Sequence, residues 1–197
     1  PFVFDAEFHY GRVDTDVDDA DRYGWLMAFR ASYALDFMTP QIAFWYGSGM
    51  DDSTRDGDER LPFIGGTSSF TMFGWDDSAF ATGGDGIARA AANGGGTWGM
   101  AFTLADISFV EDLTHQLQFA FSGGTNDEDI VDGSDLMGTN DWMFEITFST
   151  KYMIYENLAA IAEFGWASLY FDEDDHSGAD DNTDDAWKFG FGLQYKF

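Results

Sequence analysis

Large apolar side chains recur at every second residue in eight separate segments of this chain, and that period belongs to β-strands. Phe2, Phe4, Ala6, Phe8 and Tyr10 share one face, while Val3, Asp5, Glu7, His9 and Gly11 share the other. Tyr23, Trp25, Met27, Phe29, Ala31, Tyr33 and Leu35 oppose Gly24, Leu26, Ala28, Arg30, Ser32 and Ala34 in the same way. The pattern returns over residues 41–47, 98–104, 116–122, 142–151, 158–170 and 187–197. The expected strands, of about 8–15 residues, are long for a soluble sheet and suit tilted membrane strands of about 9–11 residues.

One greasy face also fits a soluble sandwich, so periodicity alone leaves both open. Two features favour a membrane. Aromatic residues gather at strand ends (Tyr23, Trp25, Tyr33, Tyr46, Trp98, Trp142, Trp166, Tyr170, Trp187 and Tyr195), as in the girdles at lipid–water interfaces. Connections also alternate: 36–39, 106–113 and 152–156 are short or medium, whereas 14–22, 48–96, 123–141 and 172–185 are long. Acidic stretches within those long connections hold 23 of the 36 acidic residues. Short turns at one end and long loops at the other is the asymmetry of outer-membrane barrels.

Composition removes other classes. A net charge of −27 excludes nucleic acid as a partner, because binding it needs Lys and Arg to displace counterions. The absence of cysteine excludes disulfides and Cys-ligated metals. The longest stretches without charge, 61–75 and 90–105, span 15 and 16 residues, short of the roughly 20 a membrane helix needs. The chain opens on Pro1 with no visible signal peptide, and is expected to be a mature or trimmed chain or a fragment.

The acidic loops read as solvated connections that bind Ca²⁺ or Mg²⁺ loosely; no other cofactor is expected. Asp14, Asp16 and Asp18 have the D-x-D-x-D opening of a calcium loop, but Asp19 stands where Gly is needed and Trp25 where Glu is needed. An enzyme is not expected. His9, His115 and His176 are scattered, with His115 on the lipid-facing parity, and no Ser/His/Asp spacing, H-E-x-x-H or G-x-S-x-G is present.

The carboxy-terminal strand, Lys188 to Phe197, resembles the β-signal read by the barrel-assembly machinery of bacterial outer membranes. Lys188, Gly190, Leu193, Tyr195 and Phe197 occupy its polar, glycine, hydrophobic and terminal aromatic positions. The run Phe37-Met-Thr-Pro-Gln-Ile-Ala-Phe-Trp-Tyr-Gly-Ser-Gly49, followed by an acidic stretch into Leu61-Pro-Phe63, resembles the homotrimeric porins of sulfate-reducing bacteria. Residues 1–8 resemble a segment from the middle of such porins. The resemblance covers nearly the whole chain but only the carboxy-terminal half of a family member, which has about sixteen strands and a loop folded into the channel.

The expected fold is therefore all-β, a transmembrane antiparallel up-and-down barrel, with residues 1–197 forming either a small barrel or half of one with about sixteen strands. Small inner residues such as Gly11, Gly24, Ala28, Ala43, Gly99, Ala101, Ala120 and Gly165 would leave voids in a narrow barrel and suit a wide, wet wall. Residues 48–96 are the candidate constriction loop, with an outward-facing loop as the alternative. Residues 70–75 are kept inside that connection, because a ninth strand would move the later acidic loops to the short-turn side. Residues 85–93 are expected to form a short helix.

The expected function is passive diffusion of small hydrophilic solutes and ions across the bacterial outer membrane, with weak cation preference. Asp5, Glu7, His9, Arg30, Glu145, Lys151, Glu163 and Lys188 are the candidate pore-lining residues, since opposed charges across a lumen select by size and sign. Outer-membrane lipid, lipopolysaccharide and, by resemblance, two further copies in a trimer are the expected partners. The alternatives are a small barrel serving as anchor or adhesin, with cation-binding acidic loops, and a soluble extracellular sandwich that binds calcium or carbohydrate.

Overall fold

The computed structural model describes residues 1–16, 21–51, 57–62, 95–131, 136–174, 176 and 183–196. Eight strands follow one another: β1 (Phe2–Val13), β2 (Arg22–Tyr33), β3 (Thr39–Gly47), β4 (Thr97–Val110), β5 (Leu113–Gly124), β6 (Trp142–Tyr155), β7 (Leu158–Tyr170) and β8 (Thr183–Tyr195). Each pairs antiparallel with its sequence neighbours in one sheet, the up-and-down order expected from the alternation. The closure expected of a barrel is not present: the sheet is open, with β1 and β8 as its edges. A single helical turn, α1 (Glu128–Val131), lies between β5 and β6. Among the described residues no helix is long and apolar enough to cross a membrane. The stretches 70–75 and 85–93, together with Asp18 and Phe197, lie outside the described residues.

Register lines up side chains of one kind across the whole sheet. One cross-strand row on the outer face reads Phe4, Ala31, Ile42, Phe102, Phe119, Ile146, Trp166 and Trp187, from β1 to β8. The adjacent inner row reads Asp5, Arg30, Ala43, Ala101, Ala120, Glu145, Ala167 and Ala186. A one-residue slip would exchange these faces on any strand, so the pattern itself pins the register.

The 106–113 connection is shorter than the alternation suggested. β4 runs on to Val110, leaving Glu111 and Asp112 as the turn, with Asp112 at φ 63°. Register shifts after Leu104 and after Ile107 absorb a break in phase at Asp106, whose φ is 54°. A bulge of this kind re-aims the chain without ending the strand, and Asp is among the residues that tolerate positive φ.

The small inner residues of β2–β5 are buried rather than wetted. Ala28, Ala43, Ala101 and Ala120 cluster with Trp45, itself only 1% exposed. Trp45 supplies the volume that the alanines lack, which is why this part of the inner face is dry. A second cluster, Met137, Met143 and Ala167 with Leu169 against it, lies at the long-loop end.

Candidate functional site

The inner face carries the candidate lumen residues, and register decides which of them meet. Asp5 and Arg30 are cross-strand partners, and the Arg30 guanidinium donates to Asp5 Oδ2 at 2.8 and 3.0 Å. His9 Nε2 lies 3.2 Å from Glu7 Oε2 on the same strand. Both pairs are substantially exposed, so each adds little stability. Glu145 and Glu163 are buried, at 1% and 5% exposure, although no strand alternation signals depth. Lys151 donates to Gln194 Oε1 at 3.3 Å and shares a cavity with Glu163. Lys188 stands opposite Gly165 at the β8 edge. Between the charges runs a polar line in which Gln118 donates to Thr103 Oγ1 at 3.0 Å and accepts from Thr147 at 3.5 Å.

Part of the 48–96 connection lies over this face. Gly11 and Gly24 are cross-strand partners of inner parity, and residues 59–62 fill the space a side chain would need there. A Cβ on Gly24 would fall 2.4 Å from the Arg60 carbonyl carbon, and one on Gly11 3.0 Å from Pro62 Cδ. The segment is held by Tyr23 N donating to Asp58 O at 2.9 Å, by the Tyr23 hydroxyl donating to Glu59 Oε1 at 2.7 Å, and by Ser48 Oγ donating to Glu59 O at 2.7 Å. Asp58 receives the Arg60 guanidinium at 2.6 and 2.8 Å and the Arg60 backbone N–H at 2.9 Å, with Arg22 Nε 3.6 Å away. Burial pushes the Asp58 carboxyl up, but the hydrogen bonds from Arg60 and the charges of Arg60 and Arg22 outweigh it and hold the group below its ordinary value.

The long-loop end is tied together by residues that the sequence reading did not single out. Asn126, fully buried, donates to the carbonyls of Gly95, Gly96 and Met137 at 2.7, 3.2 and 2.8 Å, and accepts from Met50 N at 3.1 Å. Asp141 accepts from Gly138 N at 2.6 Å and Asp172 N at 2.9 Å, and lies 2.7 Å from His176 Nε2. Neither had a sequence signal beyond its place in a polar loop. Asp106 did have one, since a carboxylate at the apolar parity of β4 marks a phase break.

Of the calcium-loop candidates, Asp14 and Asp16 are described, while Asp18 lies outside the described residues. Asp14 is engaged by Arg12, Asp21 accepts from Thr15, and Asp16 is exposed. Among the described residues no group of three or more His, Cys, Asp or Glu is placed to hold a metal. His115 stacks on Phe148 with ring centroids 5.6 Å apart, in keeping with its outward parity. Of the assembly-signal positions, Lys188 and Gly190 have inner parity, while Leu193 and Tyr195 are exposed on the outer face.

The outer face is the most continuous feature. Phe4 is 61% and Trp187 72% exposed at its two ends, far beyond the scattered apolar surface of a soluble monomer. Near the long loops the aromatic rings form a chain: Phe8 on Trp25, Trp25 on Tyr46, then Trp98, Phe121, Trp142 and Tyr170, with successive centroids 5.3–6.3 Å apart within each run. Comparison of the chain with protein-family models, with curated proteins and with solved structures returns no match.

Proposed function

We propose that this chain belongs to a porin of the bacterial outer membrane, a passive diffusion channel for small hydrophilic solutes and ions. The observation that carries the reading is the outer row from Phe4 to Trp187, eight apolar side chains in register with their outer face unpacked. Lipid is the medium in which such a face costs nothing, and interfacial aromatic belts accompany it. Lipid also tolerates no unpaired strand edge. The β1 and β8 edges are accordingly covered by further strands, making this sheet half of a barrel of about sixteen. Residues 48–96, of which 59–62 pack over Gly11 and Gly24, serve in this reading as the constriction loop. The acidic loops attract cations to the mouth, giving weak cation preference, and bridge to lipopolysaccharide through loosely held Ca²⁺ or Mg²⁺. Trimer formation and recognition of Lys188, Gly190, Leu193, Tyr195 and Phe197 by the assembly machinery complete the proposal.

One observation favours a second reading, a small filled barrel acting as anchor or adhesin: Trp45 and its alanines pack the inner face as side chains pack a narrow barrel. Planar-bilayer recording separates the two. A porin gives stable single-channel steps and, under a salt gradient at low ionic strength, a cation-directed reversal potential. An anion-directed potential overturns the selectivity, and absence of conductance overturns the channel.

A further inference from the structure

We infer that the inner face, near the short turns, carries a binding subsite for a zwitterionic solute the size of an amino acid or dipeptide, with Lys151 taking its carboxylate and Asp106 its ammonium. The inference rests on the proposal that this face meets solute. A cavity of about 450 Å³ spans β4 to β8 here, within the range of small-molecule sites. Its polar lining includes Asp106, Gln116, Ser149, Lys151, Glu163 and Gln194.

The charges arrive from different strands by different means. Asp106 would point to lipid if β4 kept its phase; the register shift after Leu104 and the φ of 54° bring it to the cavity instead. A bulge of this kind commonly re-aims a side chain. Lys151 lies on β6, two strands away, which at about 4.8 Å per strand puts the two backbones about 10 Å apart. Side chains reaching inward from that separation bracket a molecule with its opposite charges a few bonds apart. An ammonium has three donors, and the one on Gln194 holds Lys151 in place across the cavity floor. Glu163, itself buried, lines the same cavity and adds a second carboxylate to it.

Charge sign selects the class. A simple anion placed on Lys151 also meets Asp106 and Glu163. A simple cation placed on Asp106 also faces Lys151. A zwitterion satisfies both ends at once, and Gln116 and Ser149 offer neutral donors and acceptors to a peptide group between them.

The test uses the full-length protein, in which this sheet is completed to a barrel, in planar bilayers with glycylglycine as probe and neutral N-acetylglycinamide as control. Glycylglycine is expected to reduce ion current saturably and the control to leave no saturable block. Lys151→Gln is expected to raise the half-blocking concentration about tenfold or more, the loss of one charge-assisted contact. A conducting channel that both compounds block alike, or neither blocks, overturns the subsite and leaves the porin reading standing. If the full-length protein does not conduct, the porin reading falls, and calorimetric titration of the same protein in detergent decides the subsite: saturable glycylglycine binding weakened by Lys151→Gln supports it, and no binding overturns it.

Discussion

The Trp45 ring occupies the place where a side chain at Gly99 would stand. The two are cross-strand partners of β3 and β4, and a Cβ on Gly99 would fall 2.2 Å from the indole Cζ2. The indole Nε1 donates to Thr97 Oγ1 at 3.4 Å, two residues along β4, so the ring is fixed at both its body and its edge. The dry part of the inner face is built on this exchange of one large residue for several small ones.

Gly99→Val should therefore cost about 1–3 kcal/mol by overpacking, and Trp45→Ala about 3–5 kcal/mol by leaving a cavity. The double variant Trp45→Ala with Gly99→Val should cost less than the sum of the two, because the added methyls enter the volume the indole vacates. Urea unfolding in detergent micelles, followed by tryptophan emission, measures all three. Strictly additive losses would show that the ring and the glycine do not share space.

Ile42 and Phe102 sit side by side in the outer row on β3 and β4, both half-exposed. With lipid outside, Ile42→Arg or Phe102→Arg should each cost about 2–4 kcal/mol near the bilayer midplane. With water outside, the same changes would stay within about 0.5 kcal/mol, as surface substitutions do. Equilibrium folding into phospholipid vesicles gives the number.

Docking of residues 57–62 should depend on acid. Asp58 titrates below its ordinary value of 3.8, so its ionised form stabilises the docked segment. That contribution is complete above the ordinary value and is lost as pH falls through the lower, docked-state value. Protease cleavage near Arg60, assayed after brief incubation across the acid range, should rise there. Asp58→Asn should be cleaved readily at neutral pH and lose most of the acid dependence.

Asn126→Ala strips three buried carbonyls of their donor and one backbone N–H of its acceptor. Each buried polar group left unpaired costs about 1–3 kcal/mol. The expected result is loosening confined to the loop end: faster amide exchange at Met50, Gly96 and Gly138, with exchange in the centre of β6 and β7 unchanged. Uniformly faster exchange through the strands would mean that Asn126 supports the sheet as a whole.

How much of this was legible can be followed strand by strand. β7, from Leu158 to Tyr170, has the boundaries its alternation predicts, because two-residue periodicity and the following acidic loop coincide. β4 does not, because alternation reads a carboxylate at the wrong parity as an end, whereas the backbone can bulge and continue. The candidate site divides likewise. Asp5 and Arg30 could be assigned one face from sequence, but their contact needed the register of β1 on β2. Asn126 gave no warning, since what makes it matter is the set of three distant carbonyls converging on it.

The sequence by itself determined the eight strands and their two unlike faces, and it concentrated acid in the long connections although β8 takes in Asp184 and Asp185, because each follows from the order of residues along one extended chain. Only the tertiary structure decided that Trp45 fills the space of its small neighbours, that Asp106 turns inward and that residues 57–62 settle over Gly11 and Gly24. Those outcomes depend on which atoms from distant segments compete for the same volume, and a local pattern carries no record of that competition.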